Sequence, residues 1–321
     1  MKIGNLEING QVVLAPMAGV TDLAYRTICA EMGAAITVTE MVSSRALCYQ
    51  DKKSVSLLGK TPTGICGAQI FGNDPEIMAK SAKLALEHSG CDFIDINMGC
   101  PMPKIANSGD GCGLMREPQL AADIVSAVKD AVTVPVTIKC RKGWDKGSVN
   151  VVEFAQLMEE RGADAVCVHG RTRTQLYSGN ADWDIIRDVK NVLRVPVIAN
   201  GDVHSGEKAV QCLKRTGADM VMVGRAAFGD PWVIQEIDAM LRGEEPPARP
   251  PLAERVDVAL RQFELAAADK CERVACLEAR KHFAWYLRGV PYANYYKEKI
   301  SMVSTLEEIR EIAKGIKRDL K

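Results

Sequence analysis

The chain has 321 residues, 47% of them apolar, and its 41 Lys and Arg balance 41 Asp and Glu to a formal net charge of zero. That composition excludes disorder, collagen and coiled coil, and the length gives room for one large domain with a smaller one beside it. No apolar run approaches the roughly 20 residues a membrane helix needs, and the opening Met1-Lys2-Ile3-Gly4-Asn5 lacks the apolar length of an export signal, so a cytoplasmic protein is expected.

In chain order, eight short runs rich in β-branched and apolar residues read as strands: 12–17, 35–41, 64–71, 93–97, 134–141, 165–169, 195–200 and 220–224. Amphipathic stretches such as 75–88, 119–132, 151–161 and 206–215 fall between them, with helix-start signals at Asn73-Asp74-Pro75-Glu76 and Glu117-Pro118. Strands that are apolar almost throughout are buried on both faces, which means a parallel sheet. Eight βα units in about 240 residues predict an α/β protein with a (β/α)8 TIM barrel whose site lies at the C-terminal ends of the strands.

Residues 244–251 place four prolines in six positions, which favours an extended linker. Beyond it, 252–270, 273–287, 292–302 and 306–320 read as helices, with Ser304-Thr305-Leu306-Glu307 as a capping box into the last. The expected organisation is therefore a catalytic barrel over 1–243, the linker, and a small all-helical C-terminal domain over 252–321. Neutrality hides an asymmetry: from Lys270 onward 12 Lys and Arg face 7 Asp and Glu, so this end is basic and the rest acidic. Within it, Arg280-Lys281-His282-Phe283-Ala284-Trp285-Tyr286-Leu287-Arg288 interleaves cations with aromatics, a composition suited to phosphate contact and base stacking, although a solvated helix face with its aromatics turned inward has the same pattern.

The eleven cysteines are scattered and no pair has Cys-x-x-C spacing, so no metal site is expected and most are core thiols. Cys100 stands apart because Asn97-Met98-Gly99-Cys100-Pro101 directly follows the fourth strand, at the barrel mouth. A free thiol is mostly protonated at neutral pH, so there it can act as an acid. Lys139 and His169 end the next two strands, close enough in barrel order to meet one ligand. The loops after the seventh and eighth strands, Asn200-Gly201-Asp202 and Gly224-Arg225-Ala226-Ala227, have the glycines and the cation of a phosphate site.

Taken together, Val13-Leu14-Ala15-Pro16-Met17-Ala18-Gly19-Val20-Thr21-Asp22, Asp95-Ile96-Asn97-Met98-Gly99-Cys100-Pro101, Val168-His169-Gly170-Arg171-Thr172, Pro196-Val197-Ile198-Ala199-Asn200-Gly201-Asp202 and Met222-Val223-Gly224-Arg225-Ala226-Ala227 resemble the signature segments of tRNA-dihydrouridine synthases, most closely the bacterial B-type members. The resemblance implies an FMN enzyme that reduces the C5=C6 bond of uridine in tRNA with electrons from NADPH or NADH. By the same resemblance, Pro16, Met17 and Ala18 line the flavin ring, Gln69 and Lys139 meet its polar edge, and His169 sits nearby. Asn200, Gly201, Asp202, Gly224 and Arg225 complete the cofactor site. Cys100 is the general acid, Asn97 and Arg171 position the uridine, and Arg280 and Lys281 belong to the RNA-binding tail. The loop 102–112 departs from the family pattern, which is more basic around Asn107 and has no counterpart of Cys112.

The residue types suit that chemistry. Hydride added to C6 leaves enolate character at C5, and a neutral thiol can protonate it where an ordinary carboxyl would already be ionised. A uracil in folded tRNA must also leave its stack, which gives a basic appended domain a purpose. Other readings consistent with the residues are a reductase of a free pyrimidine or dihydroorotate, an enzyme acting on ribosomal RNA, and an RNA-binding factor without turnover.

Overall fold

The computed structural model describes residues 1–320; Lys321, the last residue of the expected helical domain, lies outside them. Eleven strands form. β1 (Lys2–Ile3) and β2 (Leu6–Glu7) make an antiparallel hairpin. The others are β3 (Val12–Leu14), β4 (Ile36–Val38), β5 (Val42–Ser43), β6 (Ile65–Phe71), β7 (Phe93–Met98), β8 (Val136–Arg141), β9 (Ala165–His169), β10 (Val197–Asn200) and β11 (Met220–Val223). All pair in parallel, and β4 joins both β3 and β6, so eight strands close into a TIM barrel.

The second expected strand, 35–41, is shorter than its apolar run. It stops at Val38, and Val42–Ser43 leaves to extend the edge of β6 as β5. Between them the Glu40 carboxylate turns to accept the Gly19 N–H at 2.8 Å.

Alternation along the strands decides what faces inward. Val13, Ile36, Val38, Phe93, Ala165, Cys167, Ile198, Met220 and Met222 form an inner cluster, joined by Ile3 and Ile8 of the hairpin, which seals the N-terminal end. Gly67 makes room within it, since a Cβ there would lie 2.3 Å from Phe93 Cζ. The opposite faces pack outward against the helices in one larger core.

The barrel helices are α1 (Leu23–Glu31), α2 (Ser44–Cys48), α3 (Lys52–Val55), α4 (Pro75–Ser89), α5 (Pro103–Ala106), α6 (Pro118–Ala131), α7 (Val151–Glu160), α8 (Trp183–Val192), α9 (Gly206–Thr216) and α10 (Trp232–Leu241). Local chemistry fixes their ends: Asp74 caps α4 by accepting the Ile77 N–H, with Pro75 in the first turn and Gly90 left-handed at its end. Then follow α11 (Leu252–Asp269), α12 (Glu272–Tyr286), α13 (Asn294–Ile300) and α14 (Leu306–Asp319). The capping box of α14 forms one residue later than its sequence signal, between Thr305 and Glu308.

The proline segment is extended, but it is tied down: Arg249 bonds Asp230, and Glu236 at 2.9 Å. The C-terminal helices also share the outer core of the barrel through Tyr286, Leu287 and Phe283. Among the described residues, no helix is long and apolar enough to cross a membrane, and no cluster of three or more His, Cys, Asp or Glu could hold a metal.

Candidate active site

The strands deliver their C-terminal ends to a cavity of about 600 Å³ at one mouth of the barrel. Its wall takes Pro16, Met17 and Ala18 from beyond β3, Gln69 from β6, Asn97 from β7 and Cys100 from just beyond it, and Lys139 from β8. His169 comes from β9, Asn200, Gly201 and Asp202 from the end of β10, and Gly224 and Arg225 from the end of β11. Every barrel residue expected at the cofactor site is therefore in one wall. Arg171, Arg280 and Lys281 are not among its lining residues.

The wall has three chemically distinct parts. Pro16, Met17 and Ala18 are apolar or main-chain surface, and Gly224 lies beside them, where a Cβ would be in ordinary contact with Met17 Sδ at 3.7 Å. Opposite is a cationic and amide edge. Lys139 is paired in register with Asn97, and among the described residues no carboxylate lies within ion-pair distance of its ammonium. His169, in register with Arg141 and Asn200, is held well below the ordinary imidazole pKa by burial and then by the charges of Lys139, Arg141, Arg171 and Arg225. It is a neutral ring that can donate or accept one hydrogen bond.

The third part is the pair of glycine loops. Gly201 has φ +118°, and a Cβ there would sit 2.6 Å from Ala181 Cβ and 3.0 Å from the His169 ring, so only glycine fits. Arg225 starts a single 3₁₀ turn, remains 49% exposed, and lies 4.4 Å over the Tyr177 ring. Its nearest carboxylate oxygen, on Asp202, is 3.8 Å away, which leaves the guanidinium available to an anion.

Asp202 has its charge committed elsewhere. Burial alone would raise its carboxyl pKa, but the Ala181 N–H and the Arg171 and Arg225 guanidiniums outweigh that and hold it below the usual range. Arg171, expected to position the substrate, is the partner: it is 2% exposed, donates to both Asp202 oxygens at 2.8 and 2.9 Å, and also donates to the carbonyls of Ser178 and Gly179. Its place is inside the β9–α8 loop, behind the wall. Arg280 and Lys281 are likewise committed, Arg280 to the Val303 carbonyl and Lys281 to the Gly19 carbonyl. In the cation and aromatic segment that contains them, Phe283 and Tyr286 are buried and Trp285 stacks on Phe228, centroids 4.5 Å apart. The 3.6-residue period turns the aromatics inward, so the segment docks the C-terminal helices on the barrel.

Cys100 is the only cysteine of the cavity wall. Burial raises its thiol pKa, against smaller pulls from the Met102 N–H, Arg141 and Lys139, so it stays protonated at neutral pH. Cys112, in contrast, is fully buried, its N–H donating to the Cys100 carbonyl at 3.1 Å. Asn107, in the departing loop, receives a hydrogen bond from Arg173 at 3.3 Å.

The sequence put Arg141 at a strand end but gave it no role, and gave no place in the wall to Leu176 or Tyr177. Arg141 donates to the carbonyls of Gly99, Thr172 and Leu176, tying the Cys100 loop to the loop carrying Tyr177. Its signal was available, because it follows Lys139 by two and so points the same way on β8. Tyr177 had no such signal, since carbonyl bonds from two buried arginines place it.

The chain matches the family model described as "Dihydrouridine synthase (Dus)" over residues 13–320. It is 40% identical over 314 residues to the "Probable tRNA-dihydrouridine synthase" of Rickettsia conorii, covering 97% of this chain and 94% of that one. It is 39% identical over 316 residues to "tRNA-dihydrouridine synthase B" of Vibrio cholerae, covering 98% of both. Among solved structures it resembles a 2-naphthoyl-CoA reductase complex (TM-score 0.60, 11% identity, 76% of this chain) and the 6-hydroxypseudooxynicotine amine oxidase of Pseudomonas geniculata (TM-score 0.57, 16% identity, 81% of this chain). The match spans 52% of each of those two chains and shows the barrel fold. The extent of the family match and the near-complete overlap with these relatives establish that the chain belongs to the dihydrouridine synthase family.

Proposed function

We propose that the protein reduces the C5=C6 bond of uridines in tRNA to 5,6-dihydrouridine, with FMN held in the barrel mouth and NADPH or NADH as reductant. The observation that carries this reading is the half-buried, protonated Cys100 in the same cavity wall as an unpaired lysine and a neutral histidine, in a chain of this family. The residues suit FMN part by part. Pro16, Met17 and Ala18 offer a face for a flat ring, Gln69, Lys139 and His169 offer polar partners for its heteroatoms, and the Gly201 and Gly224 loops with Arg225 offer a cradle for its phosphate.

These residues would hold the flavin, and when reduced it would be the source of the hydride for C6 of the uracil. Cys100 then donates its proton to C5, which a carboxylate at this place could not do. Lys139, with no carboxylate within ion-pair distance among the described residues, stabilises negative charge that builds at the polar edge of the site. His169 stays neutral among four cations, so it holds a hydrogen bond without adding charge. Arg141 keeps the Cys100 and Tyr177 loops at a fixed separation while the substrate enters.

In this reading residues 1–243 are the catalytic domain and 252–321 the RNA-binding domain, acting in the cytoplasm where tRNA resides. Since Arg280 and Lys281 are committed to carbonyls, the RNA contacts fall to Arg273, Arg288, Lys297 and Lys299, which have no acid partner within ion-pair distance among the described residues. Tyr292, 91% exposed, is a base-stacking candidate in the same domain. The test is the purified protein with FMN and NADPH acting on dihydrouridine-free tRNA, read by mass spectrometry of the nucleosides. Dihydrouridine formation supports the proposal; turnover of free uracil or orotate with no product in tRNA would overturn it.

A further inference from the structure

Strand register sets Gln69 beside Asp95, and Asp95 beside Thr137, in one row across β6, β7 and β8. All three side chains are buried, Asp95 at 4% exposure, and Asp95 and Thr137 are absent from the cavity wall. Thr137 Oγ1 donates to Asp95 Oδ1, and Gln69 Nε2 donates to Asp95 Oδ2, each at 2.6 Å. Gln69 Oε1 in turn accepts from Asn97 Nδ2 at 2.8 Å. Asn97 Oδ1 accepts the main-chain N–H groups of Gly99 at 3.1 Å and Cys100 at 2.9 Å.

The two ends of this relay are chemically one-way: an ionised carboxylate only accepts, and a main-chain N–H only donates. Two primary amides between them satisfy both ends in a single orientation, each with its nitrogen toward Asp95 and its oxygen toward Cys100. If either amide turned over, a donor would face a donor in a buried site, at the cost of an unsatisfied polar group.

We propose that Asp95 is a positioning residue which, through Gln69 and Asn97, fixes the backbone of the loop that carries Cys100. This rests on the reading of Cys100 as the proton donor. Asp95 acts through the polarity it imposes, and its charge is dispensable. Burial raises its carboxyl to about 6, yet protonation leaves the relay intact, because the Thr137 hydroxyl can turn and accept instead of donating. Asp95→Asn is tolerated for the same reason: its amide nitrogen faces Thr137 and its oxygen keeps the bond from Gln69. Asp95→Leu removes the acceptor of Gln69 Nε2, so the relay loses its anchor inside the barrel and Gln69 no longer holds Asn97 firmly against the Cys100 loop.

The test is the alkylation rate of Cys100 by iodoacetamide in the full-length protein at matched flavin content, read by peptide mass spectrometry. Cys48 and Cys271, the other cysteines that are not buried, serve as internal references for global loosening. Asp95→Asn and Thr137→Val are expected to match the parent protein. Asp95→Leu, and Asp95→Asn combined with Thr137→Val, should label Cys100 roughly five-fold faster, the factor that loss of one ordinary hydrogen bond carries, with the references unchanged.

An Asp95→Leu rate equal to the parent's would overturn the proposal, as would an Asp95→Asn rate equal to that of Asp95→Leu, which would make charge the agent. If Asp95→Leu does not fold, the double variant decides alone, and a parental rate in it overturns the proposal. Labelling needs neither reductant nor RNA. Its failure therefore leaves the dihydrouridine reading standing, and protein that labels as expected but forms no dihydrouridine contradicts only that reading.

Discussion

Single side chains in and behind the cavity wall can each be tested alone. Cys100→Ala removes the proposed proton donor and little else, so flavin and tRNA binding should persist while turnover falls on the order of 10²–10⁴-fold. Steady-state kinetics beside the flavin absorbance spectrum reads both. His169 has a folded pKa well below its value in the unfolded chain, which near 6.5 takes a proton first as pH falls. Its contribution to stability is therefore fully present above about pH 6.5 and is lost as pH falls toward the folded pKa. Asp95, raised to about 6, works in the opposite direction, with a contribution present below about pH 4 and lost as pH rises through 6. Subtracting the denaturant stability of His169→Gln from that of the parent isolates the imidazole: the difference should fall between pH 7 and 5. A pH-independent difference would mean that the ring is not held neutral. Arg171→Leu leaves Asp202 and two carbonyls without their donor behind the glycine loop. It should cost about 3 kcal/mol of stability and weaken flavin retention, measured by denaturation and by flavin release on dilution.

At the scale of elements, the closed end of the barrel carries stability and the open end carries chemistry. Ile8→Ala, in the cluster that the hairpin seals, should cost about 3 kcal/mol in chemical denaturation and leave turnover per bound flavin unchanged. The barrel was legible in the sequence because its strands are nearly continuous apolar runs separated by capped amphipathic helices, with Asp74-Pro75 and Gly90 around α4 the plainest case. The hairpin β1–β2 was not legible, since two-residue strands carry no periodicity. β5 was hidden because the apolar run at 35–41 continues past the point where the chain leaves β4. The site was readable wherever a residue ends a strand, as with Gln69, Lys139 and His169, because the barrel brings strand ends together whatever the loops do. The burial of Arg171 and the presence of Tyr177 in the wall were not legible for one reason: both belong to a loop held by guanidinium bonds to main-chain carbonyls, which leave no mark in residue order.

For the whole molecule, the proline segment divides the chain in sequence and does not divide its core. Tyr286, Phe283 and Leu287 join the barrel's outer cluster, and Lys270 bridges Asp22 of the barrel at 2.9 Å and Glu278 of α12 at 2.5 Å. Thermal unfolding followed by calorimetry should therefore show one transition, and two resolved transitions would contradict a shared core. The basic C-terminal end of this net-neutral molecule predicts salt-sensitive RNA binding. Lys299→Ala or Arg288→Ala should lower the slope of log affinity against log salt by about 1 each, and Lys281→Ala should change it less because its ammonium already serves Gly19. Whether the site reduces uridine within tRNA is read from dihydrouridine mapped by position in RNA from cells with and without the gene. The prediction is loss of dihydrouridine at defined tRNA positions, restored by the parent protein and not by Cys100→Ala. Unchanged dihydrouridine in every tRNA, in cells with no second enzyme of this family, would contradict it.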